Sequence, residues 1–501
     1  MAQEKNQQYF IGIDIGTGST KAIAMTSKGT IIADSQLYYS IQSAQPGYSE
    51  QDPEIIWEAF EKCIKQIVDV IKYPPVSISF SSAMHGLIAV NKQNKPITNL
   101  ITWADTRSEK IAEQIRNSKE AESIYKATGT PIHPMTPLCK IIWIRKNQPS
   151  IFENTFKFIS IKEFIWYRLF GVYEIDNSIA SATGLFNIKT LKWNKASLEL
   201  CRINSAQLSE PKPTNFIRKN ANPSVLNSLS LSTETSFCIG ASDGCLANLG
   251  SYAIDKGTAA LTIGTSGAVR IANSKPVYNF KEMTFNYILD DKIFICGGPV
   301  NNGGNVIQWL FEAFLKTRKP SEEDYKKLFK TIESIPAGSK GLIFLPYLYG
   351  ERAPVWDGKS SGVFFGIRSF HTQDYFLRAV LEGICYSMKQ VLQIVESSTS
   401  KIEKIIAGGG LIHSKTWMNI LADVTGKKLF VIETQDSSAV GAALLNMKAM
   451  KVIKNYSSLK PTINQIVNPD LKDHKRHEEN YAIFKNLYPM LKDSMHNSNL
   501  S

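Results

Sequence analysis

The stretch Asp14-Ile15-Gly16-Thr17-Gly18-Ser19-Thr20-Lys21 decides how the rest of the chain is read. It follows an alternating apolar run, Tyr9 to Asp14, and opens a second one, Lys21 to Thr26. A third run, Thr30 to Tyr39, comes after the Lys28-Gly29 turn, so three short strands in a meander are predicted. Glycines let backbone amides approach phosphate oxygens, and hydroxyls donate further hydrogen bonds. The string is not GxxxxGK[ST], so it is no P-loop, and it leads into a strand, so it is no dinucleotide fingerprint. An ordinary hairpin turn would read the same way. What sets this one apart is Asp14, a carboxylate at a buried strand end, where a phosphate-bound magnesium would need a water-mediated partner.

The second half begins again in the same style. Thr258 to Ile263 reads as a strand, Gly264-Thr265-Ser266-Gly267 as a turn and Ala268 to Ala272 as another strand. The two turn strings begin at Ile15 and Ile263, half the chain apart, as expected of two related halves or of a chance recurrence of Gly/Thr/Ser. Between them, Asp52-Pro53 opens a helical pattern through Ile55, Ile56, Ala59, Phe60, Ile64, Ile67 and Val68, with Asp52 as N-cap. Val76 to Ser81 and Phe237 to Ala241 read as buried strands, and Ile402 to Ile406 as a strand before a glycine turn. The domain division expected is 1–248, 249–450 and a helical tail, 451–501, with a frayed polar end.

Composition narrows the field. With 43% hydrophobic and 20% charged residues the chain is an ordinary globular one, and 501 residues suggest two to four domains. The opening MAQEKNQQ is polar and no apolar run approaches membrane-spanning length, so neither a signal peptide nor a membrane partner is expected. Seven cysteines, an odd count without a CxxC pair, argue against a disulfide framework or a zinc site and fit a cytoplasmic protein. The net charge of +12 comes without a basic block or a basic helix interleaved with aromatics, so no nucleic acid is expected. A lysine-rich solvated surface accounts for it; attraction of small anions is the sharper reading.

Several strings carry chemistry. Asp243 ends a strand, where a carboxylate could take the proton of an attacking hydroxyl, although Ser242-Asp243-Gly244 is also a common turn string. Met84-His85-Gly86 and Trp103-Ala104-Asp105-Thr106-Arg107 gather the aromatic and hydrogen-bonding groups a polyol needs, while a lone histidine after a strand is usually just a satisfied one. The Glu351-Arg352 pair within Tyr349 to Pro354 more often braces a loop than catalyses. Ala407-Gly408-Gly409-Gly410 would let an adenine lie on the backbone, and reads equally well as a strand-to-helix turn.

Taken in order, these pieces resemble the FGGY carbohydrate kinases of the actin-like ATPase superfamily, from about residue 9 to about 450. Met135-Thr136-Pro137-Leu138-Cys139-Lys140 through Trp143 matches the family's first signature. Gly362 through Gly366 and Arg378 through Gly383 match the second, with Tyr375 where a polar residue is usual. Ser81 to His85, Ile101 to Arg107, Thr128 to Met135, Ile161 to Glu163, Gly297 to Gly304 and Gly350 to Pro354 are most similar to the strings of bacterial gluconokinases. Gly86, where those enzymes often carry Ser, leans towards xylulokinases.

The resemblance implies an α/β protein of two actin-like (ribonuclease H-like) ATPase domains around a central cleft. ATP would lie mostly on the second domain and sugar on the first. Gly16, Thr17, Gly18, Ser19, Thr20 and Lys21 would meet the nucleotide phosphates, with Thr265, Ser266 and Gly267 as the second phosphate loop. Gly304 and Gln308 would flank the nucleotide, Gly408 and Gly409 would contact adenosine, and His413 stands at a purine-side position where Asn or Ser is common. Asp243 would be the general base and, with Asp14, a carboxylate on the Mg2+ side; Met84, His85, Asp105 and Arg107 would contact sugar. Arg107 is the first candidate partner for a sugar acid's carboxylate, with a salt bridge to Asp105 as its other reading; Lys162 and His133 follow. The activity implied is phosphorylation of gluconate to 6-phosphogluconate. A pentulose kinase is the other enzyme reading, and a sugar-responsive regulator the non-enzyme one. Regulators of that kind carry a DNA-binding appendage, for which a first strand near residue 9 leaves no room. The assembly, a homodimer among the options, stays open.

Overall fold

The computed structural model describes residues 8–399, 401–432, 436–459 and 462–498. The opening meander becomes β1 (Tyr9–Ile15), β2 (Ser19–Thr26) and β3 (Ile31–Tyr38). β4 (Ser77–Ser82), β5 (Ile217–Arg218) and β6 (Ser236–Ser242) complete a six-stranded sheet ordered β5-β6-β4-β1-β2-β3. The second sheet contains β7 (Thr258–Ile263), β8 (Gly267–Asn273), β9 (Phe285–Asp290), β10 (Ile293–Val300), β11 (Lys404–Gly409), β12 (Lys428–Ile432) and β13 (Ile463–Val467), ordered β9-β10-β8-β7-β11-β12-β13.

The two sheets repeat one plan. A hairpin, β1–β2 or β7–β8, is extended antiparallel on one side, and on the other its first strand pairs in parallel with β4 or β11. The glycine turns occupy equivalent places: Gly16 N donates to Ser19 O at 3.0 Å, and Gly264 N donates to Ser266 O at 2.9 Å. The likeness of the two turn strings is therefore architectural.

The helices used below are α1 (Pro53–Ile71), α2 (Pro137–Asn147), α3 (Ile161–Phe170), α4 (Asp243–Gly250), α5 (Gly304–Ala313), α6 (Gln373–Ser398), α7 (Lys415–Thr425), α8 (Ser437–Ala449) and α9 (Leu471–Asn497). Asp52 caps α1 as expected, accepting from Glu54 N at 2.9 Å. Strand alternation sends Ile11 and Ile13 of β1 against α1 and α3, and Phe10 against α4 and α8. On that second face the backbones nearly touch. A Cβ on Gly12 would lie 1.9 Å from Ala439 O, one on Gly250 1.9 Å from Ser437 O, and one on Gly441 2.0 Å from Leu246 O. The second sheet's core is built with α6, α7 and α9. Among the described residues no helix is long and apolar enough to cross a membrane, and all seven cysteines are buried thiols.

Two expectations change. Residues beyond 450 are not simply a helical tail: β13 pairs antiparallel with β12 at the edge of the second sheet, and α9 packs on that domain. The frayed end falls largely on 499–501, outside the described residues. The glycines after Ile406 are not a turn either, because β11 runs on through Gly409. There φ is 81°, and a Cβ would meet Ile263 O at 2.4 Å, so only glycine lets β11 and β7 stay paired.

Candidate active site

Two cavities lie between the halves, and a third adjoins them on the second domain. The first is lined by Met84, His85, Trp103, Asp243, Arg270 and Arg352, among others. Above it, Thr17 and Gly18 of the first turn face Thr265 and Ser266 of the second across one space. The third, about 910 Å³, lies over the second domain and has aromatic walls from Tyr325, Phe329 and Trp417.

Asp243 is the first residue of α4, reached directly from β6. Its Oδ1 accepts from Gly244 N at 2.7 Å. Burial pushes its carboxyl up to about 6, while that amide, Arg270 and Lys162 pull the other way. Asp14 accepts from Ser81 Oγ at 2.6 Å, and burial, with the charges of Asp436 and Asp243, pushes it up to about 8. Lys21 pairs with Asp436 at 3.1 Å. Asp14 and Asp436 share the one Lys21 ammonium, and the Asp243 charge also reaches Asp14, so the Asp14 side of the cleft suits a divalent cation. Among the described residues no three acidic, histidine or cysteine side chains are placed to ligate one ion, so phosphate oxygens and water would have to complete its shell.

His85 holds a left-handed backbone, φ 66°. Its Nδ1 lies 2.7 Å from Ala182 O, so that nitrogen carries the proton. Nε2 then accepts from Tyr287 OH at 3.3 Å. Burial, with Lys140 and Arg352 nearby, pushes the ring down to about 3, so it stays neutral. Lys140 of α2 fixes this wall: its buried ammonium donates to His85 O (2.6 Å), Thr102 O (2.7 Å) and Ile101 O (3.1 Å). Lys140→Met removes all three bonds and leaves His85 O unpaired, while Ile101 O and Thr102 O keep only the amides of Leu87 and Asp105. It should cost about 3 kcal/mol of stability and raise the sugar KM as the two loops drift, which a melting curve and initial rates would measure.

Several expected residues lie elsewhere. Asp105 and Arg107 do not line these cavities. Arg107 Nη2 donates to Asp105 at 2.7 Å and to Glu50 at 2.5 Å, and its guanidinium lies 3.6 Å over the Tyr48 ring. Asp105 also accepts from Ser49 N. Arg107 Nε and Nη2 are both taken up by carboxylates, so the pair braces the loop that presents Trp103. Lys162 is closed in the same way, by Asp176 at 2.8 Å. Thr20 is fully buried against the Tyr39 hydroxyl at 3.2 Å and faces away from the cleft. Gly408 and Gly409 serve the strand pairing, and it is Gly410 and His413 that border the aromatic cavity, with Gly304 and Gln308. Sequence reasoning missed Arg270, Tyr287 and the aromatic wall; Arg352 it had set aside as a brace.

The FGGY family of carbohydrate kinases, N-terminal domain, matches residues 9–250, and the C-terminal domain of the same family matches 259–450. The chain belongs to the FGGY family of carbohydrate kinases. It is 38% identical to the gluconokinase of Bacillus licheniformis, over 96% of this chain and 94% of that one. It is 28% identical to a xylulose kinase of Staphylococcus epidermidis, over 97% of both. Among solved structures, a gluconate kinase from Lactobacillus acidophilus superposes with a TM-score of 0.92 at 31% identity, covering 97% of this chain and 98% of that one. A ligand-bound xylulose kinase from the same organism gives 0.93 at 31%, covering 98% and 99%. This FGGY protein thus has the two-domain actin-like fold around a cleft and is a sugar kinase; its two structural neighbours differ in the substrate they are named for.

Proposed function

We propose that this kinase transfers the terminal phosphoryl group of ATP to D-gluconate, giving 6-phospho-D-gluconate. The observation that carries the choice of sugar is the ten-point gap between 38% identity to a gluconokinase and 28% to a xylulose kinase, each over nearly the full length. ATP would supply the phosphoryl group, and a magnesium ion near Asp14 the charge that offsets it. The two glycine turns would present backbone amides to the phosphates, and the aromatic cavity would take the adenine. Met84, His85 and Trp103 hold the sugar, and Asp243 accepts the proton of its terminal hydroxyl as that oxygen attacks.

Asp243 must be ionised to act. With its carboxyl at about 6, kcat/KM for gluconate should rise with pH up to about 6 and level off above it, because below that value the carboxyl already holds a proton. A pH–rate profile without this acidic limb would move the base elsewhere. Measuring ADP release with gluconate, xylulose, ribulose, glycerol and fuculose tests the reading: gluconate should give the highest kcat/KM, and a ketopentose in first place would establish the xylulokinase alternative.

A further inference from the structure

Among the described residues, the buried and largely buried cations have partners, with two exceptions. Arg107 is held by Asp105 and Glu50, Lys162 by Asp176, Arg378 by Glu382 and Lys140 by three carbonyls. Arg270 and Arg352 differ. Arg270 Nη2 donates to Thr262 Oγ1 at 3.0 Å and Arg352 Nη2 to Val300 O at 2.9 Å. In both the Nε is buried without a hydrogen-bond partner, and among the described residues neither guanidinium joins an ion pair. Arg352 is 8% exposed. Both line the same cavity as Asp243.

A buried guanidinium with free donors is stable only when something else brings the anion. The other polar groups of the cavity do not: His85 and Tyr287 satisfy each other, and Asp243 is a single carboxylate. Arg270 faces the Asp243 charge and Arg352 that of the buried Glu351, yet neither carboxylate bonds to a guanidinium, so the buried Nε donors are left for an acceptor that a ligand brings. Position separates the arginines. Arg270 extends from β8 to Gly244, its Cδ lying 3.9 Å from where a Cβ on that glycine would be, which puts it beside Asp243. Arg352 instead lies over the Trp103 ring at 5.2 Å, on the His85 side. Its loop is held rigidly: Glu351 accepts from Asn301 N, Asn302 Nδ2 and Arg352 N, and pairs through its backbone with Asp357, whose carboxylate is gripped by Tyr488 and His496 of α9.

We propose that Arg352, assisted by Arg270, is the receptor for the substrate's carboxylate, and that this pair gives the enzyme its preference for a sugar acid over a neutral sugar. This rests on the gluconate reading. A planar guanidinium offers a carboxylate two parallel N–H bonds, and an unpaired one inside a cavity loses nothing on accepting it.

The test compares Arg352→Gln, Arg270→Gln and Arg352→Lys with wild type, on gluconate and on the neutral analogue glucitol, the latter measured as competitor or substrate, with xylulose beside it. ATP binding and melting temperature confirm that each variant is folded. Arg352→Gln should raise the KM for gluconate about 10- to 100-fold, Arg270→Gln less, and Arg352→Lys should recover part of the loss; constants for the neutral compounds should stay within about threefold. Equal losses on acid and neutral compounds, or a fall in kcat alone on both, would overturn the proposal and assign the arginines to the transferred phosphoryl group. A wild type that ignores gluconate and turns over xylulose would instead sink the gluconate reading itself, and the receptor with it.

Discussion

Asp243→Asn should still bind sugar and nucleotide while losing about 10²- to 10⁴-fold in turnover. The amide keeps the size of the carboxylate and can still accept from Gly244 N, so the first turn of α4 survives. What it loses is the capacity to take a proton in the cavity that Met84 and His85 line. Titration calorimetry should find dissociation constants close to those of wild type, and the stopped-time assay almost no product. Turnover within a few-fold of wild type would exclude Asp243 as the base. Asp14 would then be the next carboxylate to examine, although its bond from Ser81 already restrains it.

The second large effect concerns the crossing of α4 and α8. Gly441→Ala places a methyl group where Leu246 O already stands, 2.0 Å away, and both sides of that contact are backbone. Overpacking commonly costs about 1–3 kcal/mol when side chains can turn aside. Here none can, so the loss should be about 3 kcal/mol or more, visible as a clear fall in melting temperature. Gly18→Ala is the matching control, because nothing lies within 4 Å of a Cβ there. If Gly441→Ala melted with wild type, the two helices would have to be further apart than described.

The hairpin turns were legible because their chemistry is local: glycine, hydroxyl and a strand-end carboxylate stand within a few residues of one another. Asp243 was legible for the same reason, and the first signature can now be read physically, since Lys140 ties two loops together and Trp143 lies 5.2 Å from the Arg107 guanidinium. That Arg107 is ion-paired and Arg352 is not was not legible. Whether an arginine finds a carboxylate depends on Glu50 and Asp105 meeting it in space, and adjacency to Asp105 in sequence fits both outcomes. The aromatic cavity draws Tyr325 and Phe329 from one helix and Trp417 from α7, so no short window contains it. Thr20 was misplaced by a parity that the turn string does not encode, and β13 is a short edge strand whose half-exposed side chains give it little apolar signal.

The covering of β1 by α8 has a consequence for how the protein is made. β1 carries Phe10 on a face that α4 covers together with Ala439, Val440 and Ala443 of α8, which lie near the other end of the sequence. Until those residues emerge, the nascent amino-terminal half must carry an open apolar surface, and a gene cut between β6 and β7 would encode a fragment that keeps it permanently. Residues 1–250 expressed alone should therefore collect in the insoluble fraction, and a peptide spanning 436–450, supplied in trans, is the piece that would restore them to solution.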